Sequence, residues 1–127
     1  MTDLVNHPQH YAEHYDHEVI ELTQHLSFCL GNAVKYLLRA PFKGTELLDL
    51  QKAEWYVRRM VDEFSADECR AQVISRRGNF SAILCSFRNA LVTELVLACG
   101  RGDKATLNDV LSDLRSQIAF QLPVSLN

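Results

Sequence analysis

The chain has 127 residues and a net charge of −3, and 47% of its residues are hydrophobic and 23% charged. A chain of this length forms one domain whose core needs neither metal nor disulfide bonds, and this composition excludes a disordered chain. The negative charge makes nucleic acid an unlikely partner, and the charged or polar residues Arg88, Asn89 and Glu94 exclude a membrane span in the most apolar segment. We predict a single domain over residues 1–127 with no membrane contact.

The first half of the chain predicts an N-terminal arm followed by three helices. The arm, about residues 1–15, is rich in His and Tyr, and Pro8 fixes one of its backbone angles. Apolar residues then recur at helical spacing, with a stop before Pro41 and a helix-capping residue at Thr45. The predicted helices span about residues 17–26, 28–40 and 45–64.

The second half predicts three more helices and no strand. Ser65 and Glu68 have the spacing of a capping box, and a short helix is expected from there to about Ser75. Apolar residues then predict one long helix over 80–99, ended by Gly100 and Gly102. A last helix is expected from about Thr106 to a point before Pro123. The fold class is therefore all-α, a compact bundle of five to six helices.

The helix predicted over 80–99 is apolar around much of its circumference. Such a helix lies either at the centre of a core or in a subunit interface. Because the chain has more apolar helix surface than one small bundle easily covers, we expect a homo-oligomer.

Four cysteines are spread along the chain without a CxxC pair: Cys29, Cys69, Cys85 and Cys99. All four fall within helical patterns, where a free cysteine behaves as a small apolar residue. This usage predicts reduced thiols in or near the core and a location in the cytoplasm.

Two predicted helices carry stripes of polar and aromatic residues. The stripe on the second helix consists of Asn32, Lys35, Tyr36 and Arg39, and that on the third consists of Asp49, Lys52, Tyr56 and Arg59 with Trp55 beside it. Because a short connection makes these helices antiparallel neighbours, the stripes are expected to face one cleft. Cations bind phosphate and rings stack on a base, so the cleft suits a nucleotide. The alternative is that the cations are solvated, Asp49 and Lys52 form a surface ion pair, and the rings belong to the edge of the core.

All five histidines lie within the first 25 residues. A zinc site needs three or four ligands in fixed geometry, so a hydrogen-bonded polar arm is the default interpretation and no metal site is predicted.

The chain has no GxxxxGK[ST] phosphate loop. Glu18 and Glu21 resemble the ExxE pair of helical pyrophosphatases, but a second acidic pair is missing in a clean form.

Several segments, taken together, resemble a known family. These segments are Asn6-His7-Pro8-Gln9-His10-Tyr11, the run from Gly31 to Ala40, Lys43-Gly44, and the run from Asp49 to Tyr56. In this order they are similar to a family of small phage and prophage proteins, formerly of unknown function, that is identified with phage nucleotide kinases acting on deoxynucleoside monophosphates. The resemblance covers about residues 5–60. It implies a family-like core over 5–64 and an additional helical hairpin over 65–127, for which oligomerisation is one interpretation.

The resemblance also implies which residues line the functional surface: His7, His10, Tyr11, Asn32, Lys35, Tyr36, Arg39, Lys43, Lys52 and Trp55. The hypothesis of a nucleotide-binding protein gives them the following roles. His7, His10 and Asn32 would position the reacting group, and Tyr11 would line the substrate surface. Lys35, Arg39, Lys43 and Lys52 would hold phosphates, while Tyr36 and Trp55 would contact the base or sugar. A kinase would use Mg²⁺ with its nucleotide, and Asp49 is the one candidate ligand.

The leading hypothesis is therefore a nucleotide-binding protein of the host cytoplasm, with kinase activity as the finer expectation. A rival hypothesis is a non-enzymatic phage protein that binds a host factor or sequesters a nucleotide signal. A third is a structural helical module without a ligand.

Overall fold

A computed structural model describes residues 15–42 and 44–122, and these ranges are helical without a strand. The elements are α1 (Val19–Thr23), α2 (Phe28–Arg39), a 3₁₀ turn (Ala40–Phe42), α3 (Glu46–Glu63), α4 (Ala66–Arg70), α5 (Phe80–Ser86), α6 (Ala90–Arg101) and α7 (Lys104–Gln121). The predicted all-α class is confirmed. The predicted N-terminal arm lies outside the described residues, except for its last residue, Tyr15, whose hydroxyl donates to the carbonyl of Leu38 at 2.7 Å.

The core is built from α2, α3, α6 and α7, which share one apolar cluster. Each contributes the face that its helical period predicts; fully buried examples are Leu30 and Leu38 of α2, Val57 and Met60 of α3, Leu95 of α6, and Leu107 and Leu114 of α7. The second half of the chain therefore covers the buried face of α3.

Lys104, the first residue of α7, joins the two halves of the chain. Its Nζ donates hydrogen bonds to the carbonyls of Met60 at 2.7 Å and Val61 at 2.6 Å, and to that of Phe64. These carbonyls lie at the C-terminal end of α3, where the helix dipole attracts a cation. The start of α7 thus caps the end of α3.

The prediction of one helix over 80–99 is wrong, because the chain breaks between α5 and α6. Arg88 has a φ of 51°, in the left-handed region, and the side chain of Asn89 accepts a hydrogen bond from the amide of Val92 at 3.1 Å. The left-handed conformation of Arg88 interrupts the helical path, and Asn89, a residue type favoured at N-caps, starts the next helix. Apolar spacing continues across the break because Leu84, Phe87 and Val92 all point into the core. This break makes seven helices in the described residues, rather than the five to six predicted.

Several helix boundaries also differ from prediction. The capping box of Ser65 is confirmed, since its hydroxyl accepts from the amide of Glu68 at 3.1 Å. However, α4 ends at Arg70 rather than near Ser75, because the chain turns there and Val73 forms an isolated bridge with Leu26. That bridge also lies beyond the end of α1, which stops at Thr23 instead of 26.

The connection between α6 and α7 agrees with prediction only in part. Gly102 ends α6 with a φ of 65°, as a C-cap glycine does. Gly100, in contrast, is the penultimate residue of that helix. The N-cap of α7 is Asp103 rather than a residue near Thr106, and its carboxylate accepts from the amide of Thr106 at 3.0 Å.

The four thiols are free but differ in burial. Cys69 and Cys99 are buried near Met60, and burial raises the pKa of both thiols, that of Cys99 to about 12. Cys29 is half-buried, and Cys85 is exposed. The prediction of a core or near-core position is thus wrong for Cys85, which lies on the outer face of the short helix α5.

Within the described ranges, no helix has both the length and the apolar character needed to cross a membrane.

Candidate functional site

The polar stripes of α2 and α3 face each other, as their spacing predicts. The rings of Tyr36 and Tyr56 are stacked, with centroids 6.2 Å apart and planes 15° from parallel. Both rings are half-buried and rest against the apolar core. The two helices therefore present one continuous surface of rings and polar side chains.

Two lysines from different helices converge on the ring of Tyr36. The ammonium nitrogen of Lys35 lies 4.5 Å from the ring centroid, and that of Lys52 lies 5.2 Å from it. The quadrupole of the ring attracts both cations, which offsets part of the repulsion between them. The result is a concentration of positive charge beside an aromatic face.

Trp55 extends this surface along α3. Its ring meets Tyr56 edge-on with centroids 5.0 Å apart, and 46% of the residue is exposed. Tyr36, Lys52, Trp55 and Tyr56 line an open cleft of about 300 Å³, here named the Trp55 cleft. The guanidinium of Arg59 lies 5.7 Å from the centroid of the indole and pairs with Glu63 at 2.8 Å.

One helical turn from Tyr36, Arg39 pairs with a buried carboxylate. Its Nε lies 3.5 Å from Oδ2 of Asp49, whose side chain is completely buried. The hydroxyl of Thr45 donates to the same oxygen at 3.1 Å, so Thr45 begins α3 without capping it through its side chain. The other oxygen, Oδ1, is buried and has no hydrogen-bond partner among the described residues. Asp49 thus pairs with Arg39 across the two helices rather than with Lys52 on its own helix.

A second cleft opens on the other side of Lys35. It has a volume of about 240 Å³ and is here named the Phe28 cleft; its lining consists of Thr23, Leu26, Ser27, Phe28, Gly31, Asn32 and Lys35. The side-chain amide of Asn32 donates to the carbonyl of Phe28 at 2.8 Å. The ring of Phe28 is 70% exposed and meets Tyr56 edge-on at 5.9 Å.

Sequence analysis missed Phe28, although a signal was present. Phe28 precedes Asn32 by four residues and Lys35 by seven, so it continues the polar stripe of α2 by one turn. The spacing therefore makes Phe28 a candidate site residue, while its exposure of 70% also depends on how α2 packs against α3.

The structure brings together four of the predicted site residues: Lys35, Tyr36, Lys52 and Trp55. Asn32 lies beyond Lys35 in the Phe28 cleft, and Arg39 is turned to Asp49. His7, His10, Tyr11 and Lys43 lie outside the described residues.

His17 and His25, the histidines within the described ranges, have contacts far away in the sequence, whereas those of the Glu18–Glu21 pair are local. Nδ1 of His17 lies 3.1 Å from the hydroxyl of Ser86, and buried His25 meets the ring of Phe80 edge-on. The carboxylate of Glu21 accepts from the amide of Glu18 at 2.8 Å, so this ExxE-like pair forms a capping box of α1. No cluster of three or more His, Cys, Asp or Glu side chains suited to a metal occurs in the part of the chain that the structure describes.

Comparison with known proteins finds one similarity. Residues 5–58 match DUF3310, a family described as a protein of unknown function. No curated protein matches the chain, and no solved structure does. The matched residues contain α1, α2 and most of α3, and hence both clefts.

Proposed function

We propose that the protein binds a nucleotide in the Trp55 cleft. The observation that carries the proposal is the convergence of Lys35 and Lys52 on the ring of Tyr36, beside the half-exposed indole of Trp55. A nucleotide combines an anionic phosphate with a flat heterocycle, and this surface offers a partner for each.

The energies of these contacts favour a move of the two lysine ammonium groups from the ring of Tyr36 to a phosphate. An ammonium group over an exposed ring contributes about 0.5–1 kcal/mol, whereas a hydrogen bond to a charged group contributes about 1.5–3 kcal/mol. The two lysines would therefore leave the ring of Tyr36 at low cost when a phosphate arrives. The exposed face of Trp55 would then stack on the base.

Arg39 is a weaker candidate for binding phosphate. Its guanidinium already pairs with a completely buried carboxylate, that of Asp49. A phosphate would have to compete with this ion pair. If it drew the guanidinium away, the carboxylate of Asp49 would remain buried without a counter-charge. We assign phosphate binding to Lys35 and Lys52 first.

Phosphoryl transfer to a deoxynucleoside monophosphate is the finer proposal, and it rests on the resemblance to the phage nucleotide kinases. Asp49 does not fit the role of a magnesium ligand, because its carboxylate is buried against the guanidinium of Arg39. Incubation with ATP, a deoxynucleoside monophosphate and Mg²⁺, followed by chromatography for the diphosphate, tests turnover directly.

Binding without turnover is a second candidate, in which the protein sequesters a nucleotide or presents it to a host partner. It is favoured by the lining of the Trp55 cleft, where the described side chains are rings and one ammonium group, with no carboxylate or imidazole to act as a base. Nucleotide binding combined with no diphosphate product would support this candidate over the kinase.

Trp55 is the single tryptophan of the chain, so its fluorescence reports on the cleft directly. We expect deoxynucleoside monophosphates to change this fluorescence in a saturable manner and to raise the melting temperature. A ligand at 100 times its dissociation constant adds about 2.7 kcal/mol to the free energy of unfolding.

Lys52→Ala tests the site, with Arg77→Ala as a control that removes one exposed positive charge elsewhere. We expect Lys52→Ala to weaken binding about ten-fold or more, as the loss of a hydrogen bond to a charged group does. Equal affinities of the two variants would contradict the assignment, and no fluorescence change with any nucleotide would contradict the proposed function.

A further inference from the structure

We infer that the ligand extends from the Trp55 cleft into the Phe28 cleft and is a dinucleotide, two bases joined through phosphate. This inference rests on the proposed function and adds the class of nucleotide. Three features support it: the position of Lys35, the volumes of the two clefts and the exposure of Phe28.

Lys35 lies between the two clefts. Its side chain lines the Phe28 cleft, while its ammonium nitrogen is 4.5 Å from the centroid of Tyr36, a ring that lines the Trp55 cleft. A phosphate bound by this ammonium group would therefore have a cleft on each side. That is the position of the phosphate that links two nucleosides.

The volumes favour a ligand that occupies both clefts. Pockets for small molecules have volumes of about 300–1,000 Å³. The Trp55 cleft, at about 300 Å³, is at the lower limit of this range, and the Phe28 cleft, at about 240 Å³, is below it. Taken together, the two clefts lie well within this range.

Each cleft offers an aromatic face for one base. Trp55 is 46% exposed in one, and Phe28 is 70% exposed in the other. The two rings are linked through Tyr56, which meets both edge-on, so they belong to one aromatic surface. Beside Phe28, the lining supplies the polar side chains of Thr23, Ser27 and Asn32, which suit a sugar or the edge of a base.

A longer single-stranded nucleic acid would need cationic side chains beyond the two clefts to bind its further phosphates. Past Trp55, the side chains are Arg58, Arg59, Asp62 and Glu63, in which acidic groups balance the basic ones, and the chain as a whole carries a net charge of −3. Such a surface does not continue a path for a phosphate backbone. The two clefts thus favour a ligand of two nucleotides.

The test compares ligands of different length by fluorescence titration of Trp55. The probes are the four deoxynucleoside monophosphates, the corresponding 5′-phosphorylated dinucleotides and a twelve-residue single strand of each base. Phe28→Leu removes the ring from the second cleft, and Phe120→Leu is the matched control, since Phe120 is 89% exposed on α7 and lines neither cleft.

We expect at least one dinucleotide to bind about ten-fold more tightly than its mononucleotide, because stacking of one more base contributes on that scale. Phe28→Leu should remove most of this preference, and Phe120→Leu should keep it. Equal affinities for mononucleotide and dinucleotide would overturn the inference while leaving the proposed function in place. An affinity that keeps rising up to the twelve-residue strand would overturn it in favour of nucleic acid. Failure of every probe to bind would overturn both proposals.

Discussion

The Nε of Arg39 lies 3.5 Å from Oδ2 of Asp49, and this contact joins α2 to α3 at a point where the carboxylate has no access to solvent. A buried charge depends on its partner far more than an exposed one does, because desolvation is not offset once the partner is removed. The pair therefore holds the two stripes in register and bears on both stability and the site.

Arg39→Met is expected to lower the free energy of unfolding by about 3–5 kcal/mol, because it leaves the carboxylate of Asp49 buried without a counter-charge. Urea denaturation measures the loss. The control is Arg59→Met, which removes an exposed pair with Glu63 and should cost less than about 1 kcal/mol. Similar losses for the two variants would contradict a structural role for the buried pair.

Gly31→Ala is expected to stabilise the protein by about 0.5–1 kcal/mol, since Gly31 is inside α2 and alanine is the better helix former. The new Cβ would lie 3.7 Å from Leu26, an ordinary contact. Gly102→Ala is the contrasting variant and should destabilise. Its φ is 65°, and its Cβ would come within 2.8 Å of the carbonyl oxygen of Ala66. Thermal unfolding measures the melting temperature of both variants. Shifts of the same sign relative to the wild type would contradict this prediction.

The stability that Asp103 contributes should depend on pH in the acid range. Hydrogen bonds from Thr106 hold the pKa of the Asp103 carboxyl below its ordinary value. The bond from the Thr106 hydroxyl has the larger effect, and the bond from its amide adds to it. The unfolded state therefore takes up a proton first as pH falls, so this contribution is complete above the unfolded pKa and is lost as pH drops through the folded one.

Asp103→Ala should accordingly be less stable than the wild type at pH 7, and the difference should shrink towards pH 3. Urea denaturation at pH 7, 5 and 3 measures it. Asp109→Ala removes a carboxylate from an exposed position of the same helix without the loss of a cap and serves as control. A difference for Asp103→Ala that stays constant down to pH 3 would argue against the cap.

The thiols should differ in reactivity towards an alkylating reagent at pH 8. Cys85 is exposed and should be modified first in the native protein. Cys69 and Cys99 should react only after unfolding, because both are buried and the pKa of Cys99 is raised to about 12. Peptide mass spectrometry resolves the sites, and Cys85→Ser should abolish the fast phase. Modification of Cys99 as fast as that of Cys85 would contradict the packing around Met60.

The helices and their buried faces were predictable from the sequence, because both depend on contacts within a few residues. A period of 3.6 residues identifies which side of α2 carries Leu30, Val34 and Leu38 and which carries Lys35 and Tyr36. The capping box at Ser65 and the left-handed Gly102 are local in the same sense. The facing of the two stripes followed from the short connection between them.

The partner of each side chain was decided by the tertiary structure. The helical spacing of Asp49 and Lys52 allowed an ion pair between them. In the structure, however, the carboxylate of Asp49 is buried against Arg39 of the neighbouring helix. The break at Arg88 and Asn89 was hidden, because α5 and α6 bury the same apolar pattern that one straight helix would. The exposure of Phe28 likewise depends on how α2 is rotated against α3. Local periodicity fixes the faces of each helix, whereas the shift and rotation between helices arise from packing among residues far apart in the chain.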